Sequence, residues 1–233
     1  MALTLYERAG HEGRRPSPFS WRARFALAHK GLEPTYVAVR FDEVETIRRL
    51  SGQGMVPVLV DGDHLVSDSW RIASHLERAY PDRPSLFGGP VGESLARFVN
   101  LWCDEALHPA IRRLVLPDFL DCLDEGGRPY FRKTREEALG ARLEDLPNEW
   151  PRWQAALDAA LLPVRRLLGE RAYLSGEAPA YADYILFGTV QWFRLGIPRD
   201  LLAPEDALMP WCRRMAALFG GMADAFPRHP ARR

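Results

Sequence analysis

The sequence predicts two units in tandem: a small mixed α/β unit over residues 1–80 and an all-helical unit over residues 91–225. Three observations carry this. Strand and helix patterns alternate through the first unit in the order β-α-β-α-β-β-α. Asp61-Gly62-Asp63, set between two apolar runs, signals a hairpin. The stretch PDRPSLFGGP at 81–90 reads as a linker, and no strand pattern follows it.

The elements can be justified in order. Ala2 to Tyr6 is a short strand. Phe19, Arg22, Phe25, Ala26 and His29 fall at helical spacing between Pro18 and Lys30, and Gly31 stops the helix. Thr35 to Val39 is β-branched and aromatic, hence a strand. Glu43 to Leu50 is a short helix ended by Ser51-Gly52. Val58-Leu59-Val60 and His64-Leu65-Val66 are the hairpin arms. Ser69 to Tyr80 is helical and ends before Pro81. Beyond the linker, helical patterns cover 91–123, 132–145, 149–169, 180–194 and 204–219. Breakers at Gly126-Gly127, Pro147, Ser175-Gly176 and Pro198 separate them, and residues 228–233 read as a frayed tail.

Composition removes several function classes. Of 233 residues, 47% are apolar and 27% charged, which fits a globular chain rather than a disordered one. Lys+Arg and Asp+Glu are 31 each, so the cationic excess of a nucleic-acid or membrane-surface binder is missing. No run of about 18 apolar residues predicts a membrane span. MALTLYERAG has no apolar core before its charges, so no secretory signal is expected. Cys103, Cys122 and Cys212 are odd in number and scattered. They predict neither a disulfide framework nor a metal site, and reduced thiols in a cytoplasm are expected. The six histidines show no HExxH or paired spacing, so no metal is predicted.

Three short stretches can carry chemistry. Ser17 precedes Pro18 at the start of the first helix, where Ser is a favoured cap and Pro a favoured first residue. Ser17 can therefore be a helix cap and nothing more. The same geometry also suits an anion, since a helix N-terminus offers unpaired N–H groups and partial positive charge. A hydroxyl there can donate to an anionic sulfur. Met55-Val56-Pro57 opens a strand. Pro57 is either an ordinary trans proline or a cis one that leaves the Val56 backbone free for an extended ligand. Asp68-Ser69 opens the third helix, with Ser69 as the expected cap. Ser69 and the helix N–H groups suit a carboxylate, and Asp68 an ammonium, so together they suit an α-amino acid.

In this order the pieces resemble the cytosolic glutathione transferases. The resemblance spans essentially the whole chain. It is most specific in SPFSWRARFALAHKG (17–31) and SGQGMVPVLVDGDHLVSDSWRIASHLERAYPDRPSLFGG (51–89), which look closest to bacterial β-aryl etherase types and their fungal relatives. It implies a thioredoxin-like N-terminal domain that binds glutathione and a helical domain that shapes an apolar acceptor pocket. It implies Ser17 as the catalytic residue. Val56 and Pro57 match the backbone pairing site for the cysteinyl part of glutathione, and Asp68 and Ser69 the acidic-Ser pair for its γ-glutamyl end. Gln53 lies where polar residues reach the glycyl carboxylate. Asp183 matches a helix-capping Asp of the second domain. The acceptor pocket is expected around Phe19 and the stretch from Trp102 to Phe119. Two positions depart from the pattern: Met55 stands where Lys is frequent, and Ala180 where Ser or Thr completes a capping box. Glutathione is implied as co-substrate, a homodimer as the assembly, and conjugation of a hydrophobic electrophile as the reaction. Aryl ether cleavage and a non-catalytic scaffold are the alternatives.

Overall fold

The computed structural model describes residues 3–229. Ala2 and residues 230–233, which the sequence assigns to the first strand and the tail, lie outside them.

Strands β1 (Leu3–Arg8), β2 (Thr35–Val39), β3 (Val58–Asp61) and β4 (His64–Ser67) form one sheet in the order β2-β1-β3-β4. β1 is parallel to β2 and antiparallel to β3, and β3 pairs with β4 through the hairpin. Helices α1 (Pro18–His29), α2 (Val44–Ser51) and α3 (Ser69–Ala79) complete the unit. The element order is the predicted one. β1 runs two residues further than its apolar pattern, because buried Glu7 and Arg8 extend it.

The linker leads into six longer helices: α4 (Pro90–Trp102), α5 (His108–Phe119), α6 (Arg128–Leu139), α7 (Trp150–Glu170), α8 (Tyr181–Gly196) and α9 (Met209–Gly221). The predicted 91–123 helix is a rod interrupted by a π turn at Cys103–Leu107. That wide turn falls just before Pro109, which has no N–H to give the preceding turn and whose ring needs room there. The predicted 132–145 helix starts earlier, with Pro129 in its first turn, and ends at Gly140, whose φ of 64° closes it. α9 departs from helical geometry at Leu218–Gly220.

Both units share one core. Phe25 of α1 lies between Tyr184 and Phe187 of α8, with ring centroids 5.3 and 5.5 Å away. Burying such a ring contributes about 1.5–3 kcal/mol. Gly188 lets α1 and α8 touch, since a Cβ there would stand 2.5 Å from the Pro18 carbonyl oxygen. Arg22 of α1 is wholly buried and reaches the π turn, donating to Asp104 Oδ1 (2.9 Å) and Asn100 Oδ1 (3.3 Å). The N-terminus of α1 is thereby fixed against the helical unit. Among the described residues, no helix is long and apolar enough to cross a membrane.

Candidate functional site

The sheet topology gathers the three candidate stretches at one edge. Tyr6, near the end of β1, pairs with Val58 at the start of β3, and Val58 pairs with Ser67 at the end of β4. The segment after β1, the segment before β3 and the segment after β4 therefore leave the sheet on the same side. These carry Ser17, Val56-Pro57 and Asp68-Ser69. The Asp68 N–H donates to the Pro57 carbonyl at 3.3 Å, which ties two of the three together.

Ser17 is the N-cap of α1, with extended backbone, and its Oγ accepts from Ser20 N at 3.2 Å. It is half-buried. The cap uses one acceptor position of a hydroxyl that has two, and leaves its single donor free. Capping and donation to a ligand are thus compatible. Ser20, one turn on, is buried, and its Oγ accepts from the Arg8 amide, so it belongs to the scaffold. The loop into Ser17 is held by Glu7, fully buried, which accepts from Arg15 at 2.7 Å and also pairs with Arg24. Sequence reading missed Glu7; a carboxylate in a strand was the only signal.

The Val56–Pro57 peptide bond is cis. Gln53 curls onto its own turn, donating to Met55 O (2.9 Å) and accepting from Met55 N (2.5 Å). Its side chain shapes the loop instead of extending outward. Arg8 fastens that loop from below, donating to Gly54 O at 3.4 Å and Arg40 O at 2.8 Å.

The helix α3 cap differs from the expectation. Asp68, not Ser69, is the N-cap: its carboxylate accepts from Arg71 N at 3.0 Å. Its φ of 81° is unusual for a residue other than Gly, and such conformations concentrate at functional sites. Asp68 is exposed, with its second carboxylate oxygen not used by the cap. Ser69 is buried in the first turn, and its carbonyl accepts from Tyr181 OH at 2.7 Å.

The three expected pocket residues differ in their surroundings. Half-buried Phe19 meets His108 edge-on at 5.4 Å and carries the Arg22 guanidinium 4.9 Å from its ring, at the junction of the two units. Trp102 is half-buried at the end of α4, packed on the core. Phe119 is buried and stacked on Phe131 at 5.2 Å, packed within the core. Burial first, then Arg22 and Arg112, push His108 well below the usual imidazole range, so it is neutral at pH 7. Burial likewise drives the thiols of Cys103, Cys122 and Cys212 up to about 12, which makes them poor nucleophiles. A cavity of about 350 Å³ between α8 and α9, lined by Val190, Phe193, Leu202 and Met209, holds none of the candidate residues.

A four-stranded mixed sheet with a cis proline before its third strand, joined to a helical unit, defines a thioredoxin-like domain with a helical partner. Family models describe the two parts as the glutathione S-transferase N-terminal domain, matching residues 13–84, and C-terminal domain, matching residues 94–207. The chain belongs to the cytosolic glutathione S-transferase family. It is 32% identical over 139 residues to a glutathione S-transferase-like protein of Aspergillus flavus, covering 54% of this chain and 49% of that one. It is 39% identical over 69 residues to glutathione S-transferase Z1 of Arabidopsis thaliana, covering 28% of this chain and 31% of that one. The chain thus spans half or less of the length of these relatives. In structure it resembles a glutathione S-transferase of Ceriporiopsis subvermispora, solved in complex with glutathione, with TM-score 0.75 and 23% identity. That likeness covers 97% of this chain and 94% of the other. It also resembles the β-etherase LigF of Sphingobium sp. strain SYK-6, with TM-score 0.71 and 19% identity over 96% and 98% of the chains. At such identity these two likenesses establish the fold.

Proposed function

We propose that the protein joins glutathione, through its thiolate sulfur, to an apolar electrophile. The carrying observation is the convergence of Ser17, Val56-Pro57 and Asp68-Ser69 at one sheet edge beside the helical unit. In this reading the Ser17 hydroxyl donates to the sulfur and the N-terminus of α1 favours the thiolate. The Val56 backbone pairs with the cysteinyl residue, and Asp68 receives the γ-glutamyl ammonium beside the first turn of α3. Gln53 acts through the shape of its turn. The thiolate attacks an electrophilic carbon, a carbon–sulfur bond forms, and the leaving group departs with the electron pair. The thiol proton passes to solvent. Phe19 supplies an apolar wall for the acceptor. Aryl ether displacement is one form of this reaction and ranks below generic conjugation, because no described residue selects for a phenol leaving group.

The Asp68→Ala variant is expected to bind glutathione about tenfold more weakly by calorimetry, since the ammonium loses a hydrogen-bonded counter-charge. An unchanged dissociation constant would remove Asp68 from the site. Failure of the protein to bind a glutathione column would favour the scaffold alternative.

We also propose a homodimer working in a cytoplasm. Three free buried cysteines suit a reducing compartment. For the dimer, Val91, Leu95 and Phe98 form an exposed stripe along α4, at the i, i+4, i+7 spacing of one helix face, with exposed Leu101 beside it. Leu65 and Met55 add exposed apolar surface on the thioredoxin-like unit. Phe98→Glu is expected to convert a dimer to a folded monomer by light scattering. A wild-type monomer at micromolar concentration would dismiss the dimer.

A further inference from the structure

The junction between the two units carries arginines that form no ion pair among the described residues. Phe19, two residues past Ser17, rests on His108 at the start of α5, and Arg112 follows His108 by one turn on the same helix face. Across the junction, Phe131 of α6 meets Phe41 of the thioredoxin-like unit at 5.2 Å. Arg135 follows Phe131 by one turn, with its Cζ 5.0 Å from that ring. Arg8 lies over the other partner, its Cζ 4.5 Å from the Phe41 ring, while it grips the Gly54 carbonyl of the loop before Val56. The charge of Arg112 acts on both His108 and Arg135, which places the two arginines near one another at this junction.

Among the described residues, Arg8, Arg112 and Arg135 make no ion pair, in a chain whose charges balance overall. The carboxylates nearby are committed elsewhere. Asp104 is held by Arg22 and Asn100, Glu43 accepts from the Arg40 backbone, and Glu136 and Glu144 take Arg132 on the same helix. The cations also feel one another. Burial first, then Arg135, lowers Arg8 to about 10, with Tyr130 and Glu43 opposing. Burial lowers Arg135, with Tyr130 opposing and Arg112 adding to the shift. Like charges held together in a partly desolvated cleft are costly unless an anion joins them.

We infer that the acceptor handled at this site is an aromatic electrophile bearing a carboxylate, received between Arg112 and Arg135 while its reactive carbon faces the glutathione sulfur. This rests on the conjugation reading above and narrows it from an apolar electrophile to an amphipathic one. Arginine suits the task because its planar fork matches a carboxylate and stacks on aromatic rings. The chemistry is unchanged: in a chlorodinitrobenzoate, the thiolate replaces chloride at the ring carbon, and chloride leaves with the bonding pair.

The test uses two matched pairs on the glutathione-saturated protein. Calorimetry compares 3,5-dinitrobenzoate with neutral 3,5-dinitrobenzamide, which lack a leaving group and report binding alone. Turnover compares 4-chloro-3,5-dinitrobenzoate with its amide. The wild type is expected to favour the carboxylate about tenfold in both measurements, and added salt to weaken the preference. In Arg112→Gln and Arg135→Gln the preference is expected to collapse toward one, with Arg135→Lys keeping part of it. Equal affinities in the wild type, or a preference that survives both glutamine variants, would overturn the proposal. Loss of glutathione binding in the same calorimeter would instead overturn the conjugation reading and this proposal with it.

Discussion

Ser17→Ala is expected to slow conjugation at pH 7 by roughly three- to twentyfold, with a smaller change in glutathione affinity. A free thiol titrates near 8.5, so about 3% is thiolate at pH 7. Lowering that value by about two units requires about 2.7 kcal/mol of preference for the anion. A charge-assisted hydrogen bond and the α1 N-terminus together supply that order of energy. The lower-pKa thiolate is intrinsically less nucleophilic, which trims the gain and sets the lower figure. The pH profile separates this role from a structural one. Lowering the thiol pKa moves the rise in rate to lower pH, so the wild type should rise near 6.5 and the variant near 8.5. At higher pH the two profiles meet and then cross, because the variant's more basic thiolate is the stronger nucleophile once it is ionised. Losing the cap alone costs about 1 kcal/mol of stability, visible as a lower melting temperature. An Ala variant that melts lower but turns over fully, with an unshifted profile, would reduce Ser17 to a cap.

Much of this site was legible because its parts are local. Ser17-Pro18 is a helix start on any backbone, and Asp61-Gly62-Asp63 fixes a hairpin, which brings the ends of β3 and β4 into register. What the sequence could not show is set by distant partners. Asp and Ser are equally good caps, and only the left-handed φ of Asp68 selects it over Ser69. Glu7 sits near the end of β1 like any solvent-facing carboxylate, yet it is buried because Arg15 and Arg24 meet it from the loop and helix that follow. Arg22 falls on the apolar face of α1, and its acceptors lie in the second unit. Phe119 has the same helical spacing whether it lines a pocket or the core, and its stacking on Phe131 packs it within the core. Arg112 and Arg135, which form no ion pair among the described residues, belong to separate helical patterns, so their proximity has no one-dimensional signal.

Asp183→Ala is expected to have the largest effect on stability, about 4 kcal/mol. Asp183 is wholly buried near the start of α8, and its two oxygens accept four hydrogen bonds. Oδ1 takes Leu174 N at 2.8 Å and the Trp211 indole N–H at 3.0 Å. Oδ2 takes Ser175 N and Ala180 N, each at 3.2 Å. One side chain thus closes the 174–180 loop onto α8 and anchors α9 through Trp211. Ala180 has no hydroxyl to return a bond, so the reciprocal half of the capping box is missing and the whole capping role falls on Asp183. Alanine would strand four donors in the interior, and each lost charge-assisted bond costs about 1–3 kcal/mol before the loop relaxes. Asparagine offers little relief, because its NH₂ would turn a donor toward donors. For a chain of this length, about 4 kcal/mol lowers the melting temperature by roughly 8–16 °C. Thermal unfolding followed by circular dichroism measures it. A drop below 2 °C in both variants would mean that the loop finds other acceptors and that Asp183 is not the keystone of the helical unit.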